Sequence, residues 1–287
     1  MIDAKTRYIV LIGDPVEHSL APIVANAVFE REGANYAYIA VKVRPEDLES
    51  AIAGLKACGV VGLAVTIPHK IEAMKYIDEA DDFAELVGAL NLIHFKDGRA
   101  IGYNTDGYGA LKTFEEEGIT LNGKKVVILG AGGAGTCMAY QALLAGAGEV
   151  VILNRTAEKA YRLVENVKKK MGCCVEGRIG GLPLTKENVT ESLQPAEVLI
   201  HTTSVGMYPN EAETLVRAQQ LRPGMVVYDL IYNPLKTQLL KEAEKAEAIP
   251  INGLGMLVYT CQRAVQVCTS IEPPLDLMKR VAIEGRS

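Results

Sequence analysis

The sequence predicts an α/β protein of two domains. Short β-branched runs alternate with helix-forming segments along the chain. One such run, Lys125–Leu129, ends in the glycine-rich turn Gly130–Gly135, and helix formers follow it from Thr136. A second run, Val150–Asn154, comes about twenty residues after the glycine turn. The 287 residues suffice for one large or two ordinary domains, and 49% hydrophobic with 23% charged residues is a globular composition.

In order, Tyr8–Ile12 reads as a first strand and Gly13–Ser19 as a loop. Leu20–Glu32 reads as a helix with Ser19 as N-cap, Pro22 in its first turn and Gly33 after its end. Tyr36–Val43 is a strand rich in β-branched and aromatic residues. Pro45–Ala57 is a helix opened by Pro-Glu-Asp and stopped by Gly59. Val60–Val65 is a buried strand leading through Thr66–Lys70 to a helix over Ile71–Ile77, and Phe83–Val87 gives another short helix. Asn91–Phe95 and Ala100–Asn104 flank Lys96-Asp97-Gly98, a hairpin signal. This alternation makes the N-terminal domain α/β with a mostly parallel sheet.

A helix from Asp106 to Glu117 crosses to the second domain. There follow helix Glu158–Lys170, a short strand near Cys173, strands Val198–Thr203 and Met225–Leu230, and helix Thr237–Ala246. Two helices close the chain, the last beginning after Pro273-Pro274. The expected division is a first α/β domain over 1–105, a second over 106–251, and C-terminal helices over 252–287 that return to the first domain.

Gly130, Gly132 and Gly135 fit G-x-G-x-x-G in the strand, turn, helix context that a dinucleotide fingerprint requires. The first glycine permits the tight turn, and the second lets the backbone approach a pyrophosphate. The third lets helix and strand pack closely, while the helix start points free N–H groups at the phosphates. Ala131, Gly133 and Ala134 complete the loop. A Rossmann domain is therefore expected. An NAD site usually closes its second strand with an acid that holds the ribose 2′-hydroxyl. Here the tip is Asn154-Arg155-Thr156, with Lys159 one turn on. Guanidinium, hydroxyl and ammonium suit a 2′-phosphate, so the expected cofactor is NADP; Thr156 also suits an N-cap.

The formal net charge of −5 gives no reason to expect nucleic acid or an anionic membrane as partner. The N-terminus has no apolar core of signal-peptide length, and no window reaches the ~18 apolar residues of a membrane span. The six cysteines show no C-x-x-C pairs and read as mostly buried free thiols of a cytoplasmic protein. The four histidines lack metal-ligand spacing, so no metal is expected. An acidic protein that handles a small anionic substrate must concentrate positive charge locally.

Lys70 follows a strand and loop, where a charged tip reaches a cleft. Asp106 sits at a strand end near the expected domain junction. A lysine held by a carboxylate can donate a proton to a developing alkoxide and accept it back in reverse. The competing readings are a surface ion pair, or Asp106 as a helix N-cap. Ser19 and Thr66 are hydroxyls in loops after strands, where capping is the alternative role.

Eight segments in order resemble the shikimate dehydrogenases: Gly13–Pro22, Val65–Lys70, Gly88–Asn91, Gly102–Asp106, Gly130–Gly135 with Asn154–Thr156, Thr203–Met207, Tyr232–Thr237 and Gly253–Leu257. The resemblance implies reduction of 3-dehydroshikimate to shikimate, usually with NADPH, in aromatic amino acid biosynthesis. It implies two domains flanking a cleft, with the C-terminal helices on the substrate domain. It implies Lys70 and Asp106 as the catalytic pair, and Ser19, Thr66, Asn91 and Tyr232 as substrate contacts. Arg155 and Lys159 match the 2′-phosphate clamp. Thr202, Ser204 and Met207 match a loop bordering the nicotinamide, and Gly253 is grouped with the cofactor residues. A monomer or homodimer is expected.

Three substrate positions depart from the family pattern. A usual serine is Ala21, a usual asparagine is Ala64 and a usual glutamine is Thr260, with Gln262 two places further on. His201 replaces a usual asparagine and Leu92 a usual threonine. Proton-transfer groups are kept while polar groups expected to hold the substrate are trimmed. Each lost partner of a buried hydrogen bond costs about 1–3 kcal/mol. The altered-substrate expectation is a carboxylated ring with fewer or differently placed hydroxyls. Quinate is an alternative within the family, although Arg155 argues against the NAD that usually accompanies it. Methylene-tetrahydrofolate dehydrogenases and glutamyl-tRNA reductases share this kind of nucleotide domain but fit the first half less well. A non-catalytic NADPH sensor is the remaining alternative, opposed by the intact Lys70 and Asp106.

Overall fold

The computed structural model describes residues 2–285. The chain divides into two compact units. One runs to Lys112 and resumes at Gly255, and the other is Thr113–Leu254. The division falls inside a helix, a few residues past the expected boundary at 105/106.

The first unit opens with β1 (Arg7–Gly13), α1 (Ala21–Arg31), β2 (Tyr36–Lys42), α2 (Leu48–Ala57), β3 (Gly62–Val65), β4 (Glu79–Ala80), α3 (Asp82–Val87), β5 (Leu92–Lys96), β6 (Arg99–Tyr103) and α4 (Thr105–Glu116). Its sheet has the order β2-β1-β3-β5-β6-β4. β1 pairs in parallel with β2 and β3, and β4 with β6; β5 runs antiparallel to both its neighbours. The β5–β6 turn is Asp97-Gly98 with φ of 51° and 78°, the left-handed pair that a two-residue hairpin needs. That turn sets the register Lys96↔Arg99 and carries it down to Leu92↔Tyr103. Val10, Ile12, Leu63 and Val65 form a core with Leu48 and Ile52 of α2.

The second unit contains β7 (Lys125–Leu129), α5 (Gly133–Leu144), β8 (Glu149–Asn154), α6 (Ala157–Met171), β9 (Ile179–Pro183), α7 (Lys186–Leu193), β10 (Val198–His201), β11 (Val226–Asp229), α8 (Gln238–Lys245) and β12 (Ile249–Ile251). Its sheet, β12-β11-β10-β7-β8-β9, is parallel throughout. Val126–Leu129 is fully buried because helices cover both faces of the central strand, which explains its unbroken apolar run. The chain closes with α9 (Leu254–Thr269) and α10 (Leu275–Glu284), and α10 packs on α1. No helix of the described residues is long and apolar enough to cross a membrane, and no His, Cys, Asp and Glu cluster among them could hold a metal.

Several local expectations are corrected. The helix over Ile71–Ile77 is a 3-10 segment, Glu72–Tyr76; Ala73 is buried while Ile71 is 59% exposed, so the segment lacks a continuous apolar face. The strand near Cys173 is a 3-10 turn, Gly172–Val175, because Gly172 and Gly177 take φ of 69° and 75° on either side. Its strand lies beyond, as β9. Helix α7 was not foreseen; its N-cap Thr185 accepts from Asn188 N–H at 3.2 Å. Ser19 does not cap α1. Leu20 holds that position, and Ser19 Oγ instead accepts from Ala21 N–H at 3.3 Å. Thr156 holds the N-cap of α6 without a side-chain cap bond. Cys137, Cys261 and Cys268 are buried, but Cys58, Cys173 and Cys174 are exposed.

One fold contact makes a pH prediction. The buried Glu242 of α8 accepts from Lys245 Nζ at 2.8 Å, the Ala218 N–H at 3.0 Å and Gln238 Nε2 at 2.9 Å. These donors, Lys245 first, hold its carboxyl down at about 2 from the ordinary 4.5. A depressed carboxyl adds stability above its unfolded value and loses it as pH falls through the folded one. The wild-type melting temperature should therefore fall more steeply than that of Glu242→Gln between pH 4.5 and 2, from a higher plateau above that window. Parallel melting curves would remove the contribution.

Candidate active site

The loop after β3 is anchored by its backbone. Thr66 N–H donates to Ile12 O at 2.9 Å, and His69 N–H to Thr66 O at 2.9 Å. His69 is buried, with Nε2 2.8 Å from Val43 O. Leu90 N–H donates to Lys70 O at 2.9 Å, which ties the Lys70 carbonyl to the segment before β5. Across the hairpin, Asn91 N–H donates to Tyr103 O at 3.0 Å, and Asn104 Nδ2 to Ala89 O at 2.9 Å. Asp106 then falls in the first turn of α4, where the helix dipole favours an anion.

Lys70 Nζ donates to Asp106 Oδ2 at 2.5 Å. Asn91 Nδ2 donates to the other carboxylate oxygen, Oδ1, at 2.8 Å and to Thr105 Oγ1 at 3.0 Å. Asn91 Oδ1 in turn accepts from Thr105 N–H at 2.7 Å. Both oxygens of Asp106 are thus met by fixed donors. The side chains of Lys70 and Asp106 are only 19% and 9% exposed, which sets the pair apart from a solvated surface ion pair. An ammonium has three N–H donors, so Lys70 keeps hydrogen-bonding capacity beyond Asp106. Thr105 and Asn104 were not singled out in the sequence; their signal was their position beside Asp106 at a strand end.

The remaining first-unit positions differ in exposure and in what they touch. Ser19 and Thr66 are half-buried, while Ala21 and Ala64 are both 8% exposed. Ala64 shares a face of β3 with Gly62, where an added methyl would collide with Cys268 of α9. Thr260 of α9 donates its hydroxyl to Thr105 O at 3.3 Å. Gln262 Nε2 lies 3.5 Å from Pro273 O.

In the second unit, Gly130 has φ 113°, and a methyl there would meet the Thr202 hydroxyl at 2.5 Å. A methyl on Gly135 would strike the Gly130 carbonyl, so the third glycine permits the close helix–strand approach. A methyl on Gly132 meets nothing within 4 Å, which leaves the backbone at the start of α5 open to a ligand. Ala131 N–H donates to Asn154 Oδ1 at 3.0 Å, tying the turn to the tip of β8. Gly133 and Ala134 open α5 with their N–H groups unclaimed by the helix itself. Arg155, Thr156 and Lys159 are exposed, and among the described residues Arg155 and Lys159 have no side-chain partner. Those free cations and the open glycine turn fit a dinucleotide with a 2′-phosphate. Thr202 Oγ1 donates to Leu129 O at 2.8 Å, and Met207 N–H to Ser204 O at 3.2 Å, so Thr202, Ser204 and Met207 share one loop after β10. Tyr232 and Gly253 also belong to this unit, and Gly253 N–H donates to Ile231 O at 3.0 Å.

Residues 11–93 match the family described as shikimate dehydrogenase substrate binding domain, and residues 110–252 match that described as shikimate / quinate 5-dehydrogenase. The chain is 49% identical to a shikimate dehydrogenase (NADP(+)) of Methanocaldococcus jannaschii over 99% of both proteins. A crystal structure of a shikimate dehydrogenase in complex with NADP+ superposes with a TM-score of 0.92 at 47% identity, covering 100% of this chain and 98% of the other. The shikimate 5-dehydrogenase of Listeria monocytogenes, solved with shikimate and NAD, gives 0.89 at 35% identity, covering 98% and 97%.

Proposed function

The chain belongs to the shikimate dehydrogenase family, and from that premise we propose that it is an NADP-dependent oxidoreductase that interconverts 3-dehydroshikimate and shikimate. The observation that carries the chemistry is the 2.5 Å contact between Lys70 and Asp106, with Asn91 on the second carboxylate oxygen. A bound nicotinamide supplies or takes up the hydride. Lys70 Nζ gives a proton to the ketone oxygen as it becomes an alkoxide, and takes it back in the oxidative direction. Asp106 keeps the ammonium aimed, and Asn91 stops the carboxylate from rotating. The proton lost from Lys70 is replaced from water.

On this reading residues 1–105 with 252–287 hold the substrate and 106–251 the dinucleotide. Gly130–Gly135 receive the pyrophosphate, and Asn154, Arg155, Thr156 and Lys159 the adenosine 2′-phosphate. Thr202, Ser204, Met207 and Gly253 line the nicotinamide end, and Ser19, Thr66, Asn91 and Tyr232 contact the substrate. The protein works in the cytoplasm on a small anion, without nucleic acid, as a monomer or homodimer.

A second reading has its own observation. Ala21 and Ala64 offer no polar side-chain atom, and the Thr260 hydroxyl is turned onto the Thr105 carbonyl. Gln262, the residue that could replace a lost amide, lies against Pro273. These positions favour a ring carboxylate with fewer hydroxyls than shikimate. Purified protein assayed for NADP reduction with shikimate, with NAD and quinate in parallel, separates the two. A kcat/KM with shikimate of about 10⁴ M⁻¹s⁻¹ or more supports the first. Tight NADPH binding without such turnover supports the second.

A further inference from the structure

A buried polar chain in the second unit is not used by the chemistry above. His201 ends β10 and Asp229 ends β11, and parallel pairing sets the two side by side. They are 1% and 0% exposed. His201 Nδ1 lies 2.9 Å from Asp229 Oδ1; the carboxylate can only accept, so Nδ1 carries the proton. His201 Nε2 lies 2.5 Å from Thr203 Oγ1. The Val205 N–H donates to that same hydroxyl at 3.2 Å, so Thr203 Oγ1 is held from two sides. At the far end Asp229 Oδ2 accepts from Thr237 Oγ1 at 2.6 Å, and Oδ1 also from the Ile231 N–H at 3.1 Å. Thr237 caps α8. The chain therefore joins the start of the 202–207 loop to the loop after β11 and to a helix start. The Tyr208 N–H also reaches Asn233 O at 3.4 Å, so the two loops meet a second time.

We infer that His201, held by Asp229, is a positioning residue for the dinucleotide: by gripping the Thr203 hydroxyl it fixes the loop carrying Thr202, Ser204 and Met207. A buried network satisfied at every member rigidifies what it touches, and a fixed loop loses less entropy when ligand binds. The inference rests on the reading that the second unit binds NADPH.

NADPH titrations by fluorescence, with melting temperatures, test it on Thr203→Val, Thr203→Ser and His201→Asn. Thr203→Val keeps shape and removes the gripped hydroxyl; its NADPH Kd should rise about tenfold, the worth of one buried hydrogen bond. Thr203→Ser should restore binding. His201→Asn keeps a donor for Asp229 but is too short for Thr203, so it should match Thr203→Val. The double variant should be no worse than either single one, because both remove the same bond. Unchanged NADPH affinity in Thr203→Val overturns the inference, as does a fall in melting temperature with Kd constant. Failure of Thr203→Ser to recover overturns it as well. Wild-type protein that does not bind NADPH overturns instead the dinucleotide reading beneath it, and the same titration shows which has failed.

Discussion

Lys70→Ala is expected to lower kcat by about three orders of magnitude while leaving the NADPH Kd within about twofold. General acid–base catalysis by a positioned side chain is worth about 10²–10⁴ in rate. Truncation removes the proton donor and also leaves Asp106, 9% exposed, without its cation. Asn91 still holds the other oxygen at 2.8 Å, so the carboxylate should keep its place. None of the contacts proposed for the dinucleotide uses the Lys70 side chain, so cofactor affinity should be spared. Lys70→Arg refines the test, because a guanidinium keeps the charge but does not release its proton at working pH. If proton transfer is the role, Arg should stay within about tenfold of Ala. Recovery of most activity in the Arg variant would mean that Lys70 acts by charge alone. Activity in Lys70→Ala within tenfold of wild type would remove it from the chemistry.

The position of Lys70 and Asp106 after strands left a surface ion pair or an N-cap open in the sequence, and it was the family resemblance that joined them; the structure shows the contact between them. The partner that completes it was only half legible. Asn91 was named, but its bridge to Thr105 and Asp106 depends on hairpin register. The two-residue turn Asp97-Gly98 fixes Leu92 opposite Tyr103, and that register brings residue 91 to residues 104–106. A hairpin one residue longer would have turned Asn91 to the other face. The same limit hid the His201–Asp229 contact. Both strands were foreseen, but nothing in the one-dimensional pattern said that β10 and β11 are neighbours with His201 level with Asp229. Val126–Leu129 was the easiest element, since burial on both faces leaves an unbroken apolar run. Helix α7 was missed because Lys186–Leu193 buries only Val189, Ser192 and Leu193, too few to show a helical period among polar residues. The segment at Cys173 misled because its composition suits a strand, while its conformation is set by the glycines on either side.

Arg155→Ala should raise the KM for NADPH about 30–100-fold, leave kcat at saturation unchanged and leave the KM for NADH unchanged. Arg155 is exposed at the tip of β8 and has no side-chain partner among the described residues, so no protein contact is lost with it. Hydrogen bonds to charged groups contribute about 1.5–3 kcal/mol each, and 1.4 kcal/mol is tenfold in affinity. A guanidinium that meets a phosphate with two N–H groups falls within the stated range after solvent takes back part of the gain. Lys159, one turn along α6, is a single point charge and should contribute less, and the double variant should bring NADPH close to NADH in KM. The effect should shrink as salt rises, because both cations stand in solvent and ions screen them. NADH lacks the 2′-phosphate, so the ratio of the two KM values isolates this contact from any general damage to the glycine turn. An NADPH-to-NADH ratio that stays constant in Arg155→Ala would move the 2′-phosphate away from the tip of β8.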